Sequence, residues 1–218
     1  MVNPFDFDPS YKHPFSMIVS GTSGSGKTVF TMDLLSGNTE VGVSPPVERV
    51  YWYYGEWQEK YNAAPPHFTF IPGLPSDLDE QLGTNRSETK AVVFDDLMQE
   101  GSDSVVVAEA FTQKRHHHNL SVVFITQNIY NQGKQMRNIN INAQYLVFFN
   151  NPRDQQQFAR VVSQLEYGTN ASSKEVVKAY QSAVGQRYGH FTVDLHGSTP
   201  PGLKYRSQTL NKVQIIYK

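Results

Sequence analysis

Apolar residues in this chain gather in short, dense runs, and most of these runs end on a small or polar residue. Residues 15–20, 49–54, 68–71, 90–94, 120–126 and 145–149 are rich in β-branched and aromatic side chains, which predicts strands covered on both faces. Between and after them, residues 29–35, 105–112, 154–165 and 174–183 place apolar side chains at helical spacing, and Ser36, Gly37 and Asn38 stop the first of these helices. Residues 189–195 and 212–217 are predicted as late strands on a sheet edge. Strands alternating with helices imply βαβ units with right-handed crossovers. The predicted class is therefore α/β, with a mainly parallel central sheet and helices on both faces. Pro4, Pro9 and Pro14 break residues 1–14 into an extended arm, and 15–218 form a single domain. Residues 101–103 and the Gln/Asn-rich stretch 127–142 are predicted as mobile loops.

Composition narrows this picture modestly. With 218 residues, 39% hydrophobic and 18% charged, the chain can bury one core. A net charge of -1 supplies no global basic field, so any contact with nucleic acid must come from a local patch or from a ring of subunits. The absence of cysteine removes disulfides, thiolate metal sites and cysteine nucleophiles. No uncharged apolar stretch of about 20 residues is present, and the expectation is a soluble intracellular protein with no membrane partner.

The chemistry concentrates where the first predicted strand meets the first helix. Gly21, Thr22, Ser23, Gly24, Ser25, Gly26, Lys27 and Thr28 follow the pattern GxxxxGK[ST], the Walker A signature of a P-loop, in the strand–loop–helix context that it requires. Glycines let backbone N–H groups turn inward around phosphate, and the helix N-terminus adds partial positive charge. Lys27 reaches the β and γ phosphates, and the Thr28 hydroxyl can ligate Mg2+. ATP and Mg2+ are the implied ligands. A second acid is needed, and the run Ala91-Val92-Val93-Phe94 ends on Asp95 and Asp96, a Walker B pattern. Asp95 is assigned to the metal shell and Asp96 to the general base. Gln127, ending the run 120–126, is expected beside that strand as a sensor of the γ phosphate.

Other clusters admit two roles each. His116, His117 and His118 are adjacent and cannot easily converge on one ion, so a basic interface surface is favoured over a metal site. If a neighbouring subunit supplies a cation to the transition state, Arg115 and Arg153 are the candidates, against simple surface ion pairs. Lys114, Lys134 and Arg137, with Gln132, Gln135 and Asn138, can line a channel for DNA phosphates or be solvated loop. Tyr51, Trp52, Tyr53, Tyr54 and Trp57 are favoured as sheet packing over base stacking.

Taken together, GTSGSGKT, AVVFDDL, FTQKRHHHNLSVVFITQN, FFNNPRD and YGHFTVDLHGSTPPGLKYR resemble the viral DNA-packaging ATPases of the FtsK/HerA superfamily across residues 15–206. The poxvirus-type branch, with polinton-like viruses, adintoviruses and virophages, is the nearest in appearance. The resemblance implies a RecA-like P-loop fold and an ATP-driven homo-oligomeric ring that moves double-stranded DNA into a capsid. It further implies a capsid or portal-like vertex protein as partner and a location at viral assembly sites in the host cell or in the virion. Many members carry Glu where this chain has Asp96, which leaves the base assignment open. Two other functions remain: a small-molecule or nucleotide kinase, and a virion assembly factor that binds ATP with little turnover.

Overall fold

The computed structural model describes residues 7–114, 118–130, 133–152, 155–165 and 172–217. Strands β1 (Tyr11–Lys12), β2 (Ser16–Ser20), β3 (Val43–Ser44), β4 (Arg49–Tyr54), β5 (Phe68–Pro72), β6 (Lys90–Asp95), β7 (Leu120–Thr126), β8 (Tyr145–Phe149), β9 (His190–Asp194), β10 (Tyr205–Ser207) and β11 (Ile215–Tyr217) build two sheets. The large sheet has the order β11-β10-β9-β8-β2-β7-β6-β4-β5. Its strands from β8 to β5 all pair in parallel, while β9, β10 and β11 return antiparallel along the β8 side. This is the predicted α/β architecture, with the first strand flanked by β8 and β7 and separated from β6 by β7 alone.

The helices are α1 (Lys27–Ser36), α2 (Leu78–Leu82), α3 (Met98–Asp103), α4 (Val105–Glu109), α5 (Met136–Asn142), α6 (Gln155–Leu165) and α7 (Ser173–Val184). Because successive strand side chains point to opposite faces, Ile18, Val92, Val122, Phe124 and Leu146 join one core layer, and Met17, Val19, Ala91, Val93, Val123 and Val147 join the other. Phe30, Leu34 and Leu35 of α1 cover the second layer. Phe111, Ile139, Phe158, Val176 and Tyr180 cover the first. With both faces covered, every position of β2, β6, β7 and β8 is buried, which is why these strands read as continuous apolar runs. Among the aromatics, Trp52 and Tyr53 are core residues, while Trp57 is 52% exposed and leans on Tyr54, Tyr61 and Phe70.

Two segments expected to be mobile loops contain helix. Within 127–142, α5 buries Met136 and Ile139, whose three-residue spacing makes a narrow apolar stripe that the surrounding Asn residues conceal in the sequence. Residues 101–103 belong to α3, where the Gly101 amide donates to the Leu97 carbonyl and the Ser102 side chain is buried. Ser104 then caps α4, accepting the Val107 N–H at 3.3 Å, so a glycine and two serines that look like a linker sit at a helix-to-helix joint. The predicted helix 105–112 is α4 continued by a π-helical turn, Ala110–Lys114.

The described end of the N-terminal arm is pinned to the domain. Tyr11 is fully buried and donates from its hydroxyl to Thr209 Oγ1 at 2.7 Å, and the Lys12 amide donates to the Tyr145 hydroxyl at 3.1 Å. Arg206, 1% exposed, pairs with buried Asp194 and also donates to the Pro9 carbonyl and the Gln214 amide oxygen. Burial pushes the Asp194 carboxyl up; the Arg206 guanidinium, the His196 amide and the Thr199 hydroxyl pull it back. At the start of β9, His190 packs against the rings of Phe30 and Phe149, and its Nε2 accepts the Thr209 amide at 3.2 Å. Burial pushes this imidazole down to about 4.

Two measurements test these placements. Ile139→Ala is expected to cost about 2–5 kcal/mol in urea unfolding, as for a buried aliphatic, and Ile141→Ala, at 70% exposed, to stay within about 0.5 kcal/mol. Equal losses at the two positions would return this stretch to a loop. For His190, the unfolded imidazole binds a proton near its ordinary 6.5, while the folded one refuses it until about 4. Stability is therefore complete above the unfolded value and falls as pH drops through that window, by about 3 kcal/mol. Urea midpoints followed across this range should slope less for His190→Gln than for the wild type; identical slopes would mean that the site accepts the proton.

Candidate functional site

The loop after β2 folds as the glycine spacing requires. Gly26, immediately before α1, has φ 108°, a conformation that L side chains rarely adopt. Gly21 is held against β8, where an added Cβ would lie 2.6 Å from the Cβ of Phe149. Thr22 ties the loop to the same strand end by donating from its hydroxyl to the Asn150 carbonyl at 3.1 Å. Lys27 curls over the loop and donates to the carbonyls of Gly21 and Thr22 at 2.7 and 2.8 Å, which places its ammonium at the centre of the turn. Burial pushes that ammonium down to about 8, against the pull of Asp95 and with a further push from Lys60. The Ser25 hydroxyl is buried within the loop and has no hydrogen-bond partner among the described residues.

Asp95 closes the other side. It is 3% exposed at the end of β6, and its Oδ2 accepts the Thr28 hydroxyl at 3.0 Å and the Tyr61 hydroxyl at 3.0 Å. Burial pushes the carboxyl up, while the two hydroxyls and the charge of Lys60 lower it. Asp96, the next residue, is exposed and sits at φ 58°, so the strand turns sharply there and the two acids diverge. That left-handed turn is one Asp tolerates well. The Gly55 amide donates to the Asp95 carbonyl at 3.1 Å and ties the end of β4 to this turn.

Gly26, Lys27, Thr28, Asp95 and Asp96 line a cavity of about 1090 Å³ that also takes in Glu56, Gln58, Lys60, Gln127, Tyr188, His190 and Asn211, while Gly21, Thr22 and Ser25 of the loop are not part of its lining. Of the residues singled out from the sequence, Ser23, Gly24, Gly26, Lys27, Thr28, Asp95, Asp96 and Gln127 all line it. Gln127 is exposed just beyond β7, between the ends of β2 and β6, as expected from its strand. Arg115, Arg153, His116, His117 and Gln132 lie outside the described residues, as do the side chains of Lys114 and Gln113. His118 pairs with Asp79 at 2.9 Å. Lys134 and Arg137 are exposed around the start of α5, and Asn138 donates to the Gln135 side chain at 2.9 Å.

Three residues of the site carry no local signature. Tyr61 and Lys60 belong to a 3₁₀ turn, Glu59–Ala63, brought to Asp95 by the parallel pairing of β4 with β6, in which Tyr54 stands opposite Asp95. Tyr188, 57% exposed with φ 60°, is the third; its ring approaches Gly26 across the cavity mouth, and the Arg187 guanidinium sits 4.9 Å above it. Only the alternation of apolar runs, read as a strand order, could have suggested the first two.

No family model and no curated protein sequence matches the chain. Among solved structures, it is similar to the genome packaging NTPase B204 from Sulfolobus turreted icosahedral virus 2 in complex with sulfate, at 14% identity and a TM-score of 0.56, covering 94% of this chain and 96% of that one. The same protein in complex with ATP-gammaS gives 12% identity and a TM-score of 0.53 over 94% and 97%. B204, the DNA-packaging ATPase from Sulfolobus turreted icosahedral virus, gives 11% and 0.54 over 94% and 98%. At such identities the likeness is one of fold, and the fold of this chain is that of a P-loop NTPase.

Proposed function

We propose that this chain is a Mg-ATP-hydrolysing motor that assembles as a homo-oligomeric ring and moves double-stranded DNA into a viral capsid. The observation that carries the nucleotide part is the meeting of the Thr28 hydroxyl with Asp95 beside the Lys27 ammonium, at the floor of a 1090 Å³ cavity. The residues fit the ligand. A buried acid linked to the first helical hydroxyl offers oxygen ligands to a hard divalent cation, and the loop amides before α1 suit phosphate oxygens. Thr28 and Asp95 would hold Mg2+, which would supply charge neutralisation at the phosphates. Lys27 binds the β and γ phosphates. In hydrolysis the oxygen of a water bonds to the terminal phosphorus, the bond to the bridging oxygen breaks and ADP leaves with that electron pair. Asp96 takes the proton and Gln127 orients the water.

The motor part is supported by the likeness in fold to viral packaging NTPases over nearly the whole chain, together with the segments quoted from the sequence. Exposed Lys134 and Arg137 after β7 offer phosphate contacts for DNA, joined in this proposal by Lys114 and Gln132. Arg115 and Arg153 are proposed as cations offered to a neighbour's site, and a capsid or portal-like vertex protein as the docking partner. Location at viral assembly sites follows from the same proposal, and the poxvirus-type branch is its finest form.

Two experiments bear on this. Lys27→Ala is expected to abolish nucleotide binding. Asp96→Asn should keep the Kd for Mg-ATP within about twofold and slow steady-state hydrolysis by about 100-fold or more. Equal turnover of Asp96→Asn and wild type would remove Asp96 from the base role. Separately, double-stranded DNA should stimulate the ATPase severalfold, with salt weakening the effect. Hydrolysis indifferent to DNA but dependent on a phosphate acceptor would favour a kinase, and tight ATP binding with negligible turnover an assembly factor.

A further inference from the structure

Resting on the nucleotide site proposed above, we infer that Lys60 is a catalytic cation supplied by the same subunit, which contacts the terminal phosphate.

The turn that carries it is placed by packing and not by its own propensity. Glu59–Ala63 is a single 3₁₀ turn, closed by the Tyr61 amide donating to the Gln58 carbonyl at 3.0 Å. Tyr61 anchors it. That side chain is 2% exposed, its ring stacks on Phe70 with centroids 4.7 Å apart, and Trp52, Tyr54 and Trp57 surround it. From this wedge the Tyr61 hydroxyl reaches Asp95 Oδ2. With Tyr61 fixed on the acid proposed to hold the metal, its neighbour Lys60 enters the cavity wall together with Glu56 and Gln58.

Lys60 is half-buried and makes no ion pair within 4 Å with a described residue, so its charge is not spent on a surface partner. Burial pushes its ammonium down, and both Asp95 and Asp96 act on it in the opposite sense. It also acts on Lys27, pushing that ammonium down. Lys27, Lys60, Asp95 and Asp96 all line the same cavity. That is where the terminal phosphate of a nucleotide held by the loop would lie. Two ammonium groups lining one cavity repel, and a polyanion that contacts both removes the repulsion. The difference between triphosphate and diphosphate is the charge that Lys60 would meet, so its contribution belongs to ATP and not to ADP.

The test separates these. Kd values for ADP and for a non-hydrolysable ATP analogue, each with magnesium, would be measured by calorimetry on wild type, Lys60→Ala, Lys60→Gln and Lys60→Arg, with thermal melting to confirm folding. Lys60→Ala and Lys60→Gln should weaken the ATP analogue by about tenfold or more and ADP by less than about twofold, and lower kcat by at least about tenfold. Lys60→Arg should recover most of the preference for the triphosphate. Equal weakening of both nucleotides, or of neither, would overturn the assignment while leaving the ATPase proposal standing. A wild-type protein that binds neither nucleotide sinks both.

Discussion

The hydrogen bond from the Thr28 hydroxyl to Asp95 joins the first turn of α1 to the end of β6, and it can form only if β2 and β6 finish at the same level of the sheet. Those strands are not neighbours. β7 lies between them, in register with both, so Ser20 stands opposite Thr126 and Phe94 opposite Phe124. The site thus inherits its precision from three parallel strands buried on both faces, where a shift of one residue would turn each apolar set to the wrong layer. Asp95 can be kept almost dry because that register brings two hydroxyls to one of its oxygens.

Charge follows from the same burial. Lys27, Lys60 and Asp95 all sit where burial opposes their ionised forms; Asp95 partly compensates both lysines and Lys60 partly compensates Asp95, while Lys60 adds to the cost at Lys27. A site balanced in this way is poised for a multivalent ligand, because an anion with a cation attached satisfies both signs at once.

How much of this was legible in the sequence depended on whether the signal was local. Gly21 to Thr28 announce themselves because a phosphate loop needs glycines at fixed spacing, and Asp95 because a wholly apolar run ends on it. That the central strands pair in parallel and are covered on both faces followed from their continuous apolar runs and the helices between them. By contrast, Ile139 was hidden among asparagines, and its helix forms because α4 and the π-helical turn give its narrow stripe something to cover. Lys60 and Tyr61 were invisible for another reason. Nothing around them marks a site, and their nearness to Asp95 is a product of β4 pairing with β6. The small β1–β3 sheet and β10 were likewise missed, being too short to show a pattern.

The cavity is bounded by parts that belong to opposite margins of the large sheet. On one side stands the turn after β4, next to edge strand β5; on the other, Leu210 and Asn211 between β10 and β11, the strand at the far edge. The loop that carries Leu210 and Asn211 is held by Gln214, which donates to the Thr209 carbonyl and accepts from Arg206, and Arg206 also donates to the Pro9 carbonyl. A ligand in the cavity would therefore meet side chains delivered from both rims of one sheet.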